Sequence, residues 1–418
     1  MRNLLASAAT AALACALALV PAAVGAADAS AAPLPSTAVP AAAAPAPGSV
    51  VPDQDPFYTA PADIVGYQPG QIVGSRPVPD VKVAGVSVPL AAWQISYRTN
   101  DSNNQPEMAV TTLVVPEIPW LGSGSRPVVS LQSAEDSLGT ACAPSYLIAT
   151  GGDEEEIGLA AEHLLANWAV AFPDFEGPKS VFMAGPQAAH AVLDGIRAVK
   201  NFDTDGIGAG NPWALDGYSG GAEATGWAAQ LQPSYAPDVK LVGAAIGGTP
   251  ADPAAVAQYM DGGAFAGFEF AAAYGIATEY PQAGIQGLLN SRGQQDFATI
   301  DGECELTVLG QFAFRDLNQD TTVSDPLGVP SVATVLQQDT LGATAPSTPV
   351  YDYHANTDEI VPVAQDNTLV GNWCRDGGTV QEVRDPIGEH SEEAVYRETS
   401  VQEFLSARFA GATPTSSC

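Results

Sequence analysis

A five-residue motif near the middle of the chain has the composition of a nucleophile elbow. Residues 217–221 read Gly-Tyr-Ser-Gly-Gly, after a short apolar run at 213–215 and before a small-residue stretch that predicts a helix at 222–232. In a Gly-x-Ser-x-Gly turn between a strand and a helix, small flanking residues let the two backbones approach and leave the serine Oγ exposed. The motif alone is weak, because chance produces it in roughly one of four chains of this composition. Its place between a strand and a helix makes Ser219 a candidate catalytic nucleophile.

A serine is a poor nucleophile without a base and an acid that orients the base, and the chain offers both after Ser219. Asp358 follows a strand predicted at 349–354, and His390 follows a second strand predicted at 379–384. The order Ser, Asp, His, with acid and base each on a loop at the carboxyl end of a strand, is that of the α/β-hydrolases. The sequence therefore predicts a triad of Ser219, Asp358 and His390.

The chain has four histidines, and the other three compete less well for the role of base. His163 and His190 lie on predicted helices, where a surface position or a satisfied core position is expected. His354 ends a predicted strand next to Asp358 and is the rival base. A base so close in sequence to its own acid rarely reaches a distant serine as well, so His390 is preferred.

Two other carboxylates are alternatives to Asp358 as the acid. Asp352 falls in the middle of a predicted strand, and Glu359 would have to replace its immediate neighbour. We therefore expect Asp358 to orient the base, with Asp352 and Glu359 as the alternatives that a structure can test.

Five segments spread over nearly the whole of the predicted mature chain carry a family resemblance. They are 55–58 (Asp-Pro-Phe-Tyr), 135–137 (Glu-Asp-Ser), 173–178 (Pro-Asp-Phe-Glu-Gly-Pro), 217–221 and 353–362 (Tyr-His-Ala-Asn-Thr-Asp-Glu-Ile-Val-Pro). With these segments the chain resembles the secretory lipases. The resemblance implies an α/β-hydrolase core, a helical lid inserted before the acid, and hydrolysis of acylglycerols. Residues 388–391 read Gly-Glu-His-Ser, where the yeast members are expected to have a glycine-richer turn. The shape of that loop is therefore where this chain departs from the family.

The same resemblance implies that Asp136 and the backbone amide of Gly220 form the oxyanion hole. An ionised carboxylate would repel the charge that develops in a tetrahedral intermediate, so Asp136 would have to be protonated and donate a hydrogen bond. The alternative is that Asp136 merely caps the turn at Ser137.

Composition excludes some partners without identifying an activity. The chain carries 47 acidic and 15 basic residues in 418, a net charge of −32. This excess disfavours nucleic acid and anionic membranes as partners. Beyond the N-terminal segment, no apolar run is long enough to be a transmembrane segment. We expect a monomer that acts on an acyl ester or lipid substrate.

The N-terminus has the features of a signal peptide. Arg2 precedes an apolar run at 4–20, and the small residues at 24–26 predict cleavage after Ala26, so the mature protein should be secreted and extracellular. The Ala, Pro, Ser and Thr residues that follow cannot bury enough surface to fold. The predicted organisation is a signal peptide at 1–26, a flexible Ala/Pro-rich tail at 27–51, a first part of the core at 52–250, a lid or cap insertion at 251–347, and a second part of the core at 348–418.

Four cysteines remain once Cys15 is removed with the signal peptide. An even number in an exported protein predicts two disulfides. Three connectivities are possible, and sequence alone does not choose among them. We favour Cys142 with Cys304, which would join the region of the oxyanion loop to the lid, and Cys374 with Cys418, which would attach the C-terminal tail to the core.

No pattern predicts a metal or another cofactor. The cysteines lack the short Cys-x-x-Cys spacing of zinc sites. Residues 316–320 begin like a calcium loop, but Thr321 stands where the sharp turn wants glycine.

Strand and helix patterns alternate along most of the chain. This order predicts an α/β fold of the α/β-hydrolase type, a mainly parallel sheet with helices on both faces. The predicted strands are 92–98, 109–115, 127–132, 169–173, 213–217, 239–246, 349–354 and 379–384. The clearest helices are 157–168, 181–200, 222–232, 363–374 and 392–409.

About a hundred residues between the sixth and seventh predicted strands show no strand alternation and form the predicted lid. They contain several phenylalanines, most of which we expect in the core of the insertion, although some could line an acyl pocket. These are Phe265, Phe268, Phe270, Phe312 and Phe314.

Together these features predict a secreted serine hydrolase of the lipase type that cleaves triacylglycerols and other acyl esters through an acyl-enzyme. An esterase for short soluble esters, or an acyltransferase with the same triad, is the alternative. A hydrolase fold used only for binding is a different class, and it would be expected to have lost a member of the triad.

Overall fold

The computed structural model describes residues 45–83, 86–151 and 158–418. The predicted signal peptide and most of the predicted tail lie outside these ranges. Residues 45–51 belong to the predicted tail, and Arg76 Nη1 donates a hydrogen bond to the Pro45 carbonyl at 3.1 Å. This end of the tail therefore contacts the core.

One mixed sheet forms the centre of the described residues. Its nine strands lie in the order β1-β4-β5-β7-β6-β8-β9-β10-β11, and β2 and β3 form a separate hairpin. The strands β7, β6, β8, β9, β10 and β11 are neighbours in this order, and each neighbouring pair among them is parallel. The pairs β1–β4, β4–β5 and β5–β7 are antiparallel. The strands are β1 (Ile72–Val78), β2 (Lys82–Val83), β3 (Val86–Ser87), β4 (Leu90–Asn100), β5 (Pro106–Pro116), β6 (Val128–Gln132), β7 (Ala169–Pro173), β8 (Trp213–Tyr218), β9 (Leu241–Gly247), β10 (Val350–Ala355) and β11 (Val380–Asp385).

All eight predicted strands are confirmed, as β4 to β11, and with them the mainly parallel sheet. Strand β1 is not among the predicted strands. This strand contains Gly74 and Pro77, both of which weaken a strand pattern, and it pairs only with β4, at the edge of the sheet.

Helices cover both faces of the sheet and make up the insertion. Those of the described residues are α1 (Pro144–Thr150), α2 (Ala161–Leu165), α3 (Gly185–Phe202), α4 (Gly220–Tyr235), α5 (Pro253–Met260), α6 (Ala266–Glu279), α7 (Ser291–Ile300), α8 (Glu305–Phe312), α9 (Pro330–Gln338), α10 (Val363–Arg375) and α11 (His390–Phe409). None of them is long and apolar enough to cross a membrane.

Two predicted helices are longer than the observed ones. The helix predicted at 181–200 begins only at Gly185, where Pro186 occupies the first turn, a position that suits proline because the first backbone N–H groups have no partner inside the helix. The helix predicted at 157–168 includes residue 157, which is not described, and α2 already ends at Leu165. Neither difference moves a residue of the predicted triad.

The insertion at 251–347 is helical and has its own apolar core. Phe270 and Phe312 are fully buried there, with ring centroids 4.6 Å apart. This core continues onto Phe182, which precedes α3 of the sheet domain. The insertion therefore packs on the edge of the sheet where the parallel strands end.

Two disulfides have the pairing that we favoured. Cys142 pairs with Cys304 and joins the loop after β6 to the insertion. Cys374 pairs with Cys418 and joins the last residue to the end of α10. Both link segments that are far apart in sequence.

Candidate active site

Ser219 occupies the sharp turn between β8 and α4. Its φ of +55° is rare for a residue with a side chain, and its N–H donates to the Gly247 carbonyl at 2.9 Å, which fixes the turn against β9. Two residues on, a Cβ at Gly221 would lie 1.9 Å from the Gln132 carbonyl oxygen. Glycine is required there because the helix starts against the backbone of β6. The elbow predicted from the motif is therefore present.

His390 is the first residue of α11, and its Nε2 lies 2.8 Å from Ser219 Oγ. Two contacts fix its backbone. Tyr218 Oη donates to the His390 carbonyl at 2.6 Å, and Glu359 Oε2 accepts from the His390 N–H at 3.1 Å. We did not predict either contact, because both join residues that are distant or unremarkable in sequence. Glu359 thus holds the backbone of the base instead of replacing Asp358.

Asp358 lies in the loop after β10 and contacts the other nitrogen of the same imidazole. Its Oδ2 is 2.6 Å from His390 Nδ1, while Oδ1 accepts the backbone N–H groups of Ile360 and Val361 at 2.9 and 2.7 Å. Burial alone would raise the pKa of Asp358, but hydrogen bonds from His354 and His390 outweigh it and hold that pKa well below its usual range. The carboxylate is therefore ionised and fixed in orientation.

The structure thus brings Ser219, His390 and Asp358 into one hydrogen-bonded chain. Asp352, an alternative acid, instead lies 2.5 Å from Arg384 Nη1. His354, the rival base, contacts the acid and not Ser219, with its Nε2 3.1 Å from Asp358 Oδ2.

The two remaining histidines lie elsewhere. His163 Nε2 is 2.9 Å from Asp216 Oδ2, and its Nδ1 is 2.6 Å from Gln402 Oε1. His190 stacks on Tyr235 with centroids 4.1 Å apart, and burial lowers its pKa to about 4. Both occupy satisfied core positions.

Asp136 and Gly220 meet beside Ser219. Asp136 is buried, has a φ of +41°, and places its Oδ1 1.9 Å from the position that a Cβ at Gly220 would occupy. Only glycine at 220 allows this approach. The carboxyl group and the start of α4 thus border the same space as Ser219.

Further buried carboxyl groups surround Asp136. Burial, with the charges of Asp339 and Asp136, raises the pKa of Glu223 well above its usual range. Burial, with the charges of Glu135 and Asp136, does the same for Glu176. Buried carboxyls this close cannot all be ionised, so protons must be shared among them at neutral pH.

A narrow apolar cavity of about 40 Å³ lies directly against Ser219, and Asp136, Gly220 and Phe268 also line it. A larger cavity of about 170 Å³ lies inside the insertion. Pro253, Ala257, Glu269 and Ala272 line both.

Linear apolar groups suit this pair of cavities, because the walls are mostly aliphatic and aromatic. Of the insertion phenylalanines, Phe268 faces the cavity beside Ser219, whereas Phe270 and Phe312 are core and Phe314 is exposed. One of the four residues that line both cavities is polar. This is Glu269, and burial, with the nearby charge of Asp261, raises its pKa to about 9, so it is neutral at pH 7.

Comparisons with known proteins point to one family. A family model described as "Secretory lipase" matches residues 149–417. The chain is 34% identical to "Lipase A" of Moesziomyces aphidis over 88% of this chain and 82% of that protein. The crystal structure of Candida antarctica lipase A in its closed state superposes with a TM-score of 0.81 at 32% identity, over 89% of both chains. A Mycobacterium tuberculosis protein named "Probable inactive lipase" is 32% identical over 87% of this chain and 83% of that protein.

Proposed function

The chain belongs to the secretory lipase family, and we propose that it is a secreted, extracellular serine hydrolase that cleaves acyl esters, triacylglycerols among them, through an acyl-enzyme. One observation carries the mechanism. Ser219 Oγ, the His390 imidazole and the Asp358 carboxylate are joined by contacts of 2.8 and 2.6 Å at the mouth of an apolar cavity. This is the arrangement that makes a serine nucleophilic at neutral pH.

In the first half-reaction, Ser219 Oγ attacks the ester carbonyl while His390 Nε2 takes the serine proton. Asp358 keeps the ring oriented, with Nδ1 protonated, and stabilises the imidazolium that forms. The tetrahedral intermediate collapses when His390 passes the proton to the leaving alcohol. The acyl group is then bonded to Ser219 with its chain in the apolar cavity.

The negative oxygen of the intermediate needs donors on the side of α4. The Gly220 N–H at the start of this helix is one, and we assign the second to Asp136 in its protonated form. Glu223 and Glu176 share this buried site with Asp136, and a proton shared among the three carboxyls supports a donor role for Asp136. A capping role at Ser137 alone would leave the second donor unassigned.

In the second half-reaction, His390 removes a proton from water as the water attacks the acyl carbonyl. The bond from that carbonyl to Ser219 Oγ then breaks, His390 returns the proton to Oγ, and the fatty acid is released. An alcohol in place of water would give acyl transfer on the same triad. The apolar cavity beside Ser219 and the larger one next to it favour a chain longer than acetyl, so the proposal is a lipase and not an esterase restricted to short esters.

The competing function, of a different class, is binding by a hydrolase fold that has no catalytic activity. A relative named as a probable inactive lipase is the reason to consider it. In this chain, however, the three groups of the triad are in mutual contact.

A series of nitrophenyl and glycerol esters of increasing chain length, hydrolysed by the purified mature protein, tests the proposal. We expect turnover of all the esters, with kcat/KM rising toward longer chains. Turnover of none, with the protein folded, would support the binding function.

A further inference from the structure

Asp358 contacts two histidines through one oxygen. Its Oδ2 is 2.6 Å from His390 Nδ1 and 3.1 Å from His354 Nε2. A serine hydrolase triad requires only the first of these contacts. His354 is fully buried on β10, so a solvent-exposed role does not explain it.

The surroundings of His354 determine its charge. Its Nε2 also lies 2.9 Å from the Val361 carbonyl, and its Nδ1 lies 3.1 Å from Asp366 Oδ2. Among the described residues, these partners are all acceptors, and a neutral ring would turn a lone pair toward one of them. Both ring nitrogens must therefore donate, which makes the ring an imidazolium. Burial alone would lower the pKa of His354, but Asp358 and Asp366 raise it to about 10.

Asp366 contacts a second cationic side chain besides His354. Arg384 Nη2, from β11, lies 3.0 Å from the same Asp366 oxygen, and Arg384 Nη1 lies 2.5 Å from Asp352 Oδ1. Burial, then the charge of Asp366, raises the pKa of Asp352 to about 8. His354 and Arg384 thus share the Asp366 carboxylate. Part of the positive charge of His354 therefore acts on Asp358, the proposed catalytic acid.

We infer that His354 is a positioning residue of the triad: its buried imidazolium holds Asp358 Oδ2 in place and opposes proton uptake by the Asp358–His390 pair. The inference rests on the proposed function. Both imidazoles contact Asp358 Oδ2, so His354 Nε2 and His390 Nδ1 lie within about 6 Å of each other. At that distance, a positive charge on His354 should lower the pH at which the pair takes up a proton by about one unit or more. The pair titrates as a unit, and its protonation stops catalysis because His390 can no longer accept the serine proton. A cation beside the pair therefore extends activity toward lower pH.

Other titratable groups also face the pair. Glu359 Oε2 accepts the His390 N–H, and Tyr218 Oη donates to the His390 carbonyl. Glu393 lies one turn along α11, and burial, then Asp385, raises its pKa to about 7. All of these remain in a His354 variant, so a comparison with the wild-type protein isolates the charge at 354.

The test is His354→Gln, whose amide can still donate to Asp358 but carries no charge. We expect kcat/KM at pH 8, corrected for the fraction of sites that react with an organophosphate, to stay within about threefold of wild type. The acid limb of the profile should move up by about one pH unit, so that activity on that limb falls about tenfold. The matched control is His163→Gln, which removes another buried histidine–carboxylate contact without changing the contacts of Asp358. The acid limb of its pH profile should coincide with that of the wild-type protein.

Imidazole NMR on the wild-type protein avoids any failure of a variant to fold, and four histidines give few signals to assign. His354 should remain an imidazolium up to about pH 9. A neutral His354 at pH 7, or an acid limb unmoved in folded His354→Gln, overturns the inference. The proposed function fails separately, if Ser219→Ala keeps its ester turnover.

Discussion

The catalytic edge of the sheet and the insertion above it are held together in different ways. The edge is fixed by directional contacts: the Ser219 N–H on Gly247, two N–H groups on Asp358 Oδ1, and Tyr218 Oη on the His390 carbonyl. The insertion consists of helices of 8 to 14 residues that pack mainly through apolar side chains, with ion pairs from Asp320 to Arg292 and Arg315 between its elements. Directional contacts fix atoms to within tenths of an ångström, whereas an apolar core tolerates exchange of side chains of similar volume. We therefore propose that the edge carries the chemistry and that the insertion sets the choice of substrate.

The largest effect should come from removing the nucleophile at the edge. Ser219→Ala should lower kcat for any ester by at least about 10⁴-fold while the melting temperature changes little, because only one small polar atom is lost. The matched control is Ser96→Ala, which removes a serine that donates only to the Gly74 carbonyl. More than about a tenth of wild-type turnover in Ser219→Ala would assign the chemistry to another group.

A smaller loss is expected at the oxyanion side of the same edge. Asp136→Ala should reduce kcat roughly a hundredfold, the scale of one lost oxyanion donor. Asp136→Asn should recover part of this activity, because an amide donates at every pH. The wild-type protein should lose activity as pH rises and Asp136 gives up its proton, and the Asn variant should show a flatter alkaline side. Near wild-type kcat in a stable Asp136→Ala would leave Asp136 with the capping role.

Substitutions in the insertion should alter the preference among acyl-chain lengths and leave the reactivity of Ser219 unchanged. Ala272 lines both cavities, so the larger side chain of Ala272→Phe should take up space that an acyl chain would need. We expect kcat/KM for long-chain esters to fall about tenfold relative to short-chain esters, in the range that hydrophobic pockets discriminate. Organophosphate labelling of Ser219 should be unchanged. A chain-length profile identical to wild type would remove the insertion from substrate binding.

The smallest effect on activity is expected at the C-terminal disulfide. Replacing Cys374 and Cys418 by serine opens a disulfide that joins residues 44 apart in sequence. The free energy of unfolding should fall by about 2–4 kcal/mol, because the unfolded chain gains freedom. kcat at 25 °C should not change, since neither cysteine is near the triad. A loss of kcat at full occupancy of folded protein would show that the C-terminal attachment matters at the site.

Sequence patterns predicted the sheet because buried parallel strands are short apolar runs bounded by turns. The triad was predictable for a related reason, since elbow, acid and base each follow such a run. The edge strand β1 was not, because Gly74 and Pro77 interrupt its pattern and its pairing with β4 is decided by tertiary contacts.

His354 marks the limit of sequence reasoning at the site. Its closeness to Asp358 in sequence suggested a rival base, but its charge depends on Val361 and Asp366, which the loop and α10 bring to it. The same holds for Glu359, whose contact is with the backbone of His390 and not with its ring.

The central claim, that Ser219 is the nucleophile of an Asp358–His390 pair, is tested most directly by labelling the mature protein with a fluorophosphonate and mapping the adduct by mass spectrometry. We predict one adduct per chain, on the peptide containing Ser219, with ester turnover lost in proportion to labelling. An adduct on another serine, or full turnover by protein labelled at Ser219, would contradict it.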